Sequence, residues 1–413
     1  MPNATDADAE DAVRRAGILA RNAVDSLPSG ALAEKLRIAS AEGRPLRVKL
    51  GIDPTAPDIH LGHAVVLRKL REFQDDGHRV VLIVGDYTAR VGDPSGRSSL
   101  RPMLSEEEIE ANAQTFQDQA SRILDPDPER LEVRRNSEWL DMPMAELLGL
   151  LRTTTAAQLL ERDDFAKRFS AKEPISMLEL LYPLLQAYDS VAVRADVELG
   201  GTDQKFNLLL GRDVQRAYKQ PAQAILTMPL LVGTDGHRKM SKSLGNQIGI
   251  TDPPEEMYGK TMAIPDAAMD EYYRLLLPAG SDDGPADAEG VPAGVSPRDA
   301  KRALARALVT SLYSPADAEA AERHFDRLFV DHKAPDEIED AIFHSDGGMV
   351  HLPGVIAEEF GMSRSQARRL IDEGGVTLGD SQLTAGEHDV PVARADGQVL
   401  KVGKRRFRRL RGR

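Results

Sequence analysis

Between Leu46 and Val84 the chain alternates in a way that leaves few folds open. A short apolar run from Leu46 to Ile52 meets the breaker cluster Asp53-Pro54-Thr55. After a loop, Leu61 to Asp76 carries Val65, Val66, Leu70 and Phe73 at helical spacing, and Arg79 to Val84 is apolar nearly throughout. Strand, amphipathic helix and continuous apolar strand make a β-α-β unit whose second strand is covered on both faces. The alternation persists. Ser105 with Glu108 three residues on forms a capping box for a helix reaching about Leu124, and a strand follows at Leu131 to Arg135. Several helices run to Ser190, then a strand near Ala195 to Leu199, a helix from Asp203 to Ala217 and an apolar stretch from Ile225 to Val232. Ahead of all this, helices are expected at Asp6 to Leu27 and Ala31 to Ala41. The expected fold is α/β: a doubly wound, mainly parallel, Rossmann-like sheet that binds ligands at the carboxyl ends of its strands.

From Pro253 the pattern turns helical, is interrupted by a Gly/Pro/Asp-rich stretch from Pro278 to Pro297, and resumes from Arg298 to about Phe343. A linker at His344 to Gly348 leads to a small basic module. At 413 residues the chain exceeds one ordinary core, and the expected domains are 1–250, 251–345 and 350–413. The net charge of −13 discourages nucleic-acid binding until it is divided. Residues 350–413 hold 12 Lys and Arg against 8 Asp and Glu, and residues 1–349 hold 41 against 58. Seven of the last ten residues are basic, as a phosphate-binding surface or a solubilising tail would be. The absence of cysteine excludes a disulfide framework and any thiolate nucleophile or Cys-based metal site, and no metal site is expected. No basic region precedes an apolar stretch at the N-terminus. No apolar run approaches the roughly 20 residues that span a bilayer, so a cytoplasmic protein without membrane contact is expected.

No G-x-x-x-x-G-K-[ST] and no G-x-G-x-x-G opening a helix is present. His60-Leu61-Gly62-His63 instead occupies a strand-to-helix junction, where unpaired N–H groups favour an anion and Gly62 lets a flat ring approach. Taken alone, the two histidines could be a metal pair or surface residues. Lys239-Met240-Ser241-Lys242-Ser243 lies between Gly233, Gly236 and Gly245, a loop offering two lysines to phosphates, or a solvated turn. Both motifs occur, in order, at opposite ends of one α/β domain. In this the chain resembles the class I aminoacyl-tRNA synthetases, with Leu61 where isoleucine is common.

The residues just before and between the motifs resemble those of bacterial-type tyrosyl-tRNA synthetases: Gly51-Ile52-Asp53-Pro54-Thr55, Gly92-Asp93-Pro94-Ser95-Gly96-Arg97, the spacing Tyr182, Gln186, Asp189, and Gly200-Gly201-Thr202-Asp203-Gln204. The likeness extends over nearly the whole chain. Tryptophanyl enzymes share the fold and both hallmarks but not the Gly-Asp-Pro-Ser-Gly loop. Independently, Tyr182, Gln186 and Asp189 fall on one face of an otherwise apolar helix, where their polar atoms need partners. The position where many bacterial tyrosyl enzymes carry a second tyrosine is Lys49, which places the chain in the subgroup lacking it.

The resemblance implies a tyrosine-tRNA ligase. Its substrates would be L-tyrosine, Mg-ATP and tRNA(Tyr), with no tightly bound cofactor and a homodimeric state. Asp189 would accept the phenol hydroxyl, and Asp93, Tyr182 and Gln186 would hold the α-ammonium group. Asp53 would border tyrosine and ribose, and Gln204 would lie near the reacting carboxylate. Thr55, His60, His63, Arg97, Arg101, Lys239 and Lys242 would stabilise the transition state of adenylate formation. Gly62, Gly201, Asp203, Met240 and Ser241 would complete the ATP site. The helices of 251–345 would form an anticodon-binding domain and the last segment an S4-like α+β domain, with Arg364, Arg368 and Arg369 meeting RNA.

Overall fold

Six strands make the first sheet: β1 (Asp25–Leu27), β2 (Arg47–Ile52), β3 (Arg79–Val84), β4 (Leu131–Arg135), β5 (Val197–Gly201) and β6 (Ala224–Met228). In this computed structural model the described residues are 4–55, 58–94, 105–277, 291, 294–330, 338–345, 347–403 and 406–412. The strand order is β1-β6-β5-β2-β3-β4, parallel from β6 to β4, with β1 antiparallel on the β6 edge. Val80 to Val84 and Ala224 to Met228 are buried, as strands covered on both faces must be. The winding reverses beside β2: the chain builds outward through β3 and β4, then returns to lay β5 on the other side of β2. Such a reversal opens a crevice beyond the carboxyl ends of the two central strands. The residues that follow those ends are Asp53 and Thr202.

The first helix ends at Leu19, not Leu27 as the sequence suggests. Asn22 takes a left-handed backbone, which stops the helix, and Asp25–Leu27 pairs with β6. The helices Pro254–Ala263, Met269–Leu276 and Pro297–Leu312 pack together, and the second of them lies on the Leu61–Asp75 helix. Two tyrosine hydroxyls tie these helices to the segment before them: Tyr272 donates to the Val232 carbonyl at 2.8 Å, and Tyr313 to that of Asp252 at 2.6 Å. The chain divides into two compact units, Met1–Pro315 and Ala316–Arg413, so the expected division at residue 250 falls within the first.

Helical pattern was expected as far as Phe343, but the last long helix stops at Phe329 and Asp340–Phe343 is a strand, β7. Ala341 and Phe343 are buried while Asp340 and Ile342 are exposed, a period of two that overrides local helical preference. The second unit adds β8 (Met349–His351), β9 (Val376–Leu378), β10 (Ser381–Gln382), β11 (Asp389–Pro391), β12 (Val399–Val402) and β13 (Arg406–Gly412). Its sheet runs β10-β9-β12-β13-β7, beside a β11-β8 pair. Helices Leu352–Phe360 and Arg364–Asp372 pack on each other over a core that includes Ile356, Ala367, Ile371, Val376, Leu400 and Leu410. The basic C-terminus is therefore no loose tail: β13 buries Phe407 and Leu410, and Arg408 pairs with Glu339 and Glu359 at 2.8 and 3.1 Å. No helix among the described residues is long and apolar enough to cross a membrane.

Candidate active site

His60 is the N-cap of the Leu61–Asp75 helix, in an extended conformation that turns the chain into the helix. Its backbone N–H donates to His63 Nδ1 at 3.3 Å, and the two rings stack with centroids 4.0 Å apart. Burial, reinforced by His63, pushes the His60 imidazole down to about 3, and burial pushes His63 down to about 4. Both rings are therefore neutral at physiological pH, and His60 Nδ1 is buried without a partner. A buried polar atom left this way is a candidate ligand contact. Gly62 leaves room beside it, since a Cβ there would stand 3.0 Å from two His60 ring atoms and 3.6 Å from Met240 Cβ. That last contact brings the two hallmark motifs together.

The second motif is a structured loop. The Met240 N–H donates to the Leu231 carbonyl at 2.8 Å, and Asn246 braces the inside of the turn. Its Oδ1 accepts from the Ser241 N–H at 2.8 Å, while its Nδ2 donates to Asp235 at 3.0 Å and to the Lys239 carbonyl at 3.2 Å. The chain then runs beside the start of the His60 helix: the Leu61 N–H donates to the Ile248 carbonyl at 2.9 Å and the Ile250 N–H to that of Ile59 at 3.0 Å. Lys242 Nζ pairs with Asp58, and Lys239 Nζ lies 3.5 Å from Asp203 Oδ2. One half-exposed ammonium group, that of Lys242, thus stands just ahead of the helix N-terminus, whose dipole favours anions too, and the other lies beyond the end of β5. Gly201 is the last residue of β5, and Asp203 lies in the one-turn helix Thr202–Gln204 that follows it.

The polar face of the Met177–Ala192 helix meets the strand ends through direct bonds. Tyr182 Oη donates to Asp53 Oδ2 at 2.9 Å, and Asp53 Oδ1 accepts from Thr88 Oγ1 at 2.7 Å. Burial, then the carboxylates of Asp53 and Asp93, hold the Tyr182 hydroxyl well above its ordinary pKa, so it stays a donor. Asn207 Nδ2 donates to Gln186 Oε1 at 2.8 Å and to Gln204 Oε1 at 3.0 Å, and Gln204 Nε2 donates to Asp93 Oδ2 at 2.9 Å. Deeper still, Asp189 is buried, with Oδ1 accepting from Trp139 Nε1 at 2.8 Å. Its Oδ2 lies 4.0 Å from where a Cβ on Gly51 would stand, and Gly51 is exposed. Burial pushes the Asp189 carboxyl up to about 7, against the opposing pull of Lys49 and of the Trp139 bond. Asp189 is thus the buried carboxyl of this set, amide and hydroxyl groups gather around the strand ends, and the lysines and neutral imidazoles belong to the two hallmark motifs.

Thr55 is in the turn after β2, its N–H donating to the Asp53 carbonyl at 2.7 Å. Arg97 and Arg101 lie outside the described residues. Arg364, Arg368 and Arg369 are exposed on the Arg364–Asp372 helix of the second unit. Several members of the site were not named from sequence: Thr88, Asn136, Trp139 and Asn207. Asn136 Nδ2 donates to Thr88 Oγ1 at 2.9 Å, completing a chain from the end of β4 to Asp53. The one signal available for any of them was that Trp139, the chain's single tryptophan, follows a parallel strand closely. Among the described residues no group of three or more His, Cys, Asp or Glu side chains could hold a metal ion.

Residues 41–330 match the family described as tRNA synthetases class I (W and Y). A tyrosine-tRNA ligase of Moorella thermoacetica is 49% identical over 404 residues, covering 97% of this chain and 96% of that protein. One from Thermotoga maritima is 48% identical over 399 residues, covering 96% of each. Among solved structures, tyrosyl-tRNA synthetase complexed with L-tyrosine from Archaeoglobus fulgidus superposes with a TM-score of 0.59 at 27% identity, covering 75% of this chain and 99% of that one.

Proposed function

The chain belongs to the class I tRNA synthetases (W and Y), and from that membership we infer that it is a tyrosine-tRNA ligase. The observation that carries the choice of amino acid is the buried carboxyl of Asp189, with its Oδ2 facing the exposed backbone at Gly51. A phenol hydroxyl there donates to Asp189 Oδ2. Phenylalanine leaves the buried acceptor unpaired, at the cost of its full desolvation. The α-ammonium group of tyrosine is held by Tyr182, Gln186 and Asp93, and its carboxylate faces Gln204.

Activation is attack of the tyrosine carboxylate on the α-phosphorus of Mg-ATP, with diphosphate leaving and tyrosyl-adenylate remaining bound. No protein nucleophile takes part. Charge grows on the phosphorus and the departing diphosphate, so catalysis consists of positioning and of donors aimed at that charge. His60, neutral and free at Nδ1, suits the role of uncharged donor, while Lys239, Lys242, Thr55, His63, Arg97 and Arg101 serve the phosphates. Asp203 and Gly201 receive the ribose; Gly62 leaves room for the adenine, and Met240 and Ser241 close over the nucleotide. In the second step the tyrosyl group passes to the 3′-terminal adenosine of tRNA and AMP leaves.

The exposed arginines at 364, 368 and 369 support RNA binding by an S4-like second unit, and the helices of 251–345 serve the anticodon. Met144, Leu148, Phe169, Met177 and Leu178 are exposed apolar side chains, which supports a homodimer. A cytoplasmic location accords with the reaction. The deciding experiment is amino-acid-dependent exchange of labelled diphosphate into ATP with tyrosine, phenylalanine and tryptophan. Exchange driven by tyrosine alone is expected, and exchange that follows tryptophan would overturn the assignment.

A further inference from the structure

Lys49 is an anomaly among the buried residues of the first sheet. It lies in the middle of β2 with no exposed surface, and its ammonium group makes three bonds: to Glu198 Oε1 at 2.6 Å, Ser190 Oγ at 2.9 Å and the Gln186 carbonyl at 3.1 Å. The parallel register sets Lys49 directly opposite Glu198 on β5. Ser190 Oγ and Gln223 Nε2 both donate to the second oxygen of Glu198. Every donor and acceptor of the pair is thus engaged. Apolar residues of similar volume would stabilise such a core at least as well as an ion pair does, so stability alone does not explain the charge.

Its position does. Gln186 and Ser190 bracket Asp189 on the same helix, and Lys49 bonds to both. Building on the tyrosine-binding role given to Asp189 above, we propose that Lys49, anchored by Glu198, is a positioning residue for specificity: its buried positive charge keeps Asp189 an anion that accepts the substrate hydroxyl. The charged and titratable groups facing Asp189 are Lys49 from β2, Glu198 from β5 and Tyr182 from its own helix; Trp139 and the Asn136 amide add donors from the turn after β4. Burial drives that carboxyl toward its neutral form, and of these neighbours Lys49 opposes the drive most strongly while Glu198 works the other way. A neutral Asp189 binds the phenol less tightly and rejects phenylalanine less firmly, because an unpaired neutral acceptor costs less than an unpaired charged one.

The test measures kcat/KM for tyrosine and for phenylalanine in diphosphate exchange from pH 5 to 9. It uses the wild-type protein, Lys49→Met, and Lys49→Met with Glu198→Gln, which removes the Glu198 charge together with that of its partner. Wild type should show an ascending limb near neutral pH. In Lys49→Met that limb should move to higher pH by about one to three units, the effect of removing an opposite charge nearby. On the acid side this is about a tenfold loss per unit moved, recovered as pH rises. The double variant should move the same way by less, and tyrosine preference over phenylalanine at pH 7 should fall in both. A uniform loss at every pH, the mark of a merely structural pair, overturns the proposal, as does an unmoved limb. If neither variant folds, a wild-type profile flat across neutral pH overturns it. Wild-type protein that fails to use tyrosine at all would instead refute the functional reading on which this rests.

Discussion

Asp189 and His60 are buried titratable groups whose environments push them in opposite directions, and both consequences can be measured. The Asp189 carboxyl is raised to about 7 against an ordinary value of 3.8. A carboxyl raised in the folded state contributes stability that is fully present below the unfolded value and is lost as pH rises through the folded one. Replacing Asp189 by Asn, which can still accept from Trp139, should therefore leave the urea midpoint close to wild type at pH 4 and raise it relative to wild type at pH 8. Tyrosine-dependent exchange should fall in the same variant. His60 is lowered to about 3, so its charge does not change between pH 5 and 9. His60→Ala should slow adenylate formation about a hundredfold, as loss of one aimed donor does. The ATP KM should change far less, and the fold loss should be constant across that pH range in single-turnover assays. The i, i+4, i+7 spacing of Tyr182, Gln186 and Asp189 made that face of the site legible before any coordinates. Trp139 and Asn207, which bond to that face, and Thr88 and Asn136, which lead to Asp53, were not, because they arrive from other strand ends and helices, and no local period records a contact made across the sheet.

At the scale of elements, two glycines mark where backbone and site press together. A Cβ on Gly85, just past β3, would stand 2.2 Å from Asp53 Oδ1 and 2.4 Å from Thr88 Oγ1. Gly85→Ala should break the Asp53–Thr88 bond, lower stability by about 1–3 kcal/mol and raise the KM for tyrosine, as denaturation and exchange assays would show. Gly62→Ala is the milder case: crowding of the His60 ring at 3.0 Å should reduce the activation rate with little change in melting temperature. Several elements with a strong local signal are legible in the sequence. Ser105 with Glu108 forms the expected capping box, and Arg79–Val84 and Leu131–Arg135 are strands with the expected bounds. Asp340–Phe343 is not legible, because four residues alternate too briefly to outweigh the helix before them, and their partner strand lies more than sixty positions downstream.

For the molecule as a whole, the division at Pro315 separates the candidate chemistry from the exposed arginines of the second unit. A chain ending at Pro315 should keep tyrosine-dependent diphosphate exchange and lose tRNA charging, measured on one preparation. Loss of both would count against the modular account. Charge counting by segment had separated the two regions on sequence alone, while the exchange of β7 into the distal sheet shows that composition locates a domain better than its border. The way the loop lysines rest carries one more implication. Lys242 lies against Asp58 and Lys239 near Asp203, so each half-exposed ammonium group already has a carboxylate beside it. In the role proposed above for these lysines, a triphosphate would compete with acids already in place, trading one anion for another. Affinity for ATP would then be tempered at rest, with release of each lysine from its internal counterion coupled to arrival of the phosphates.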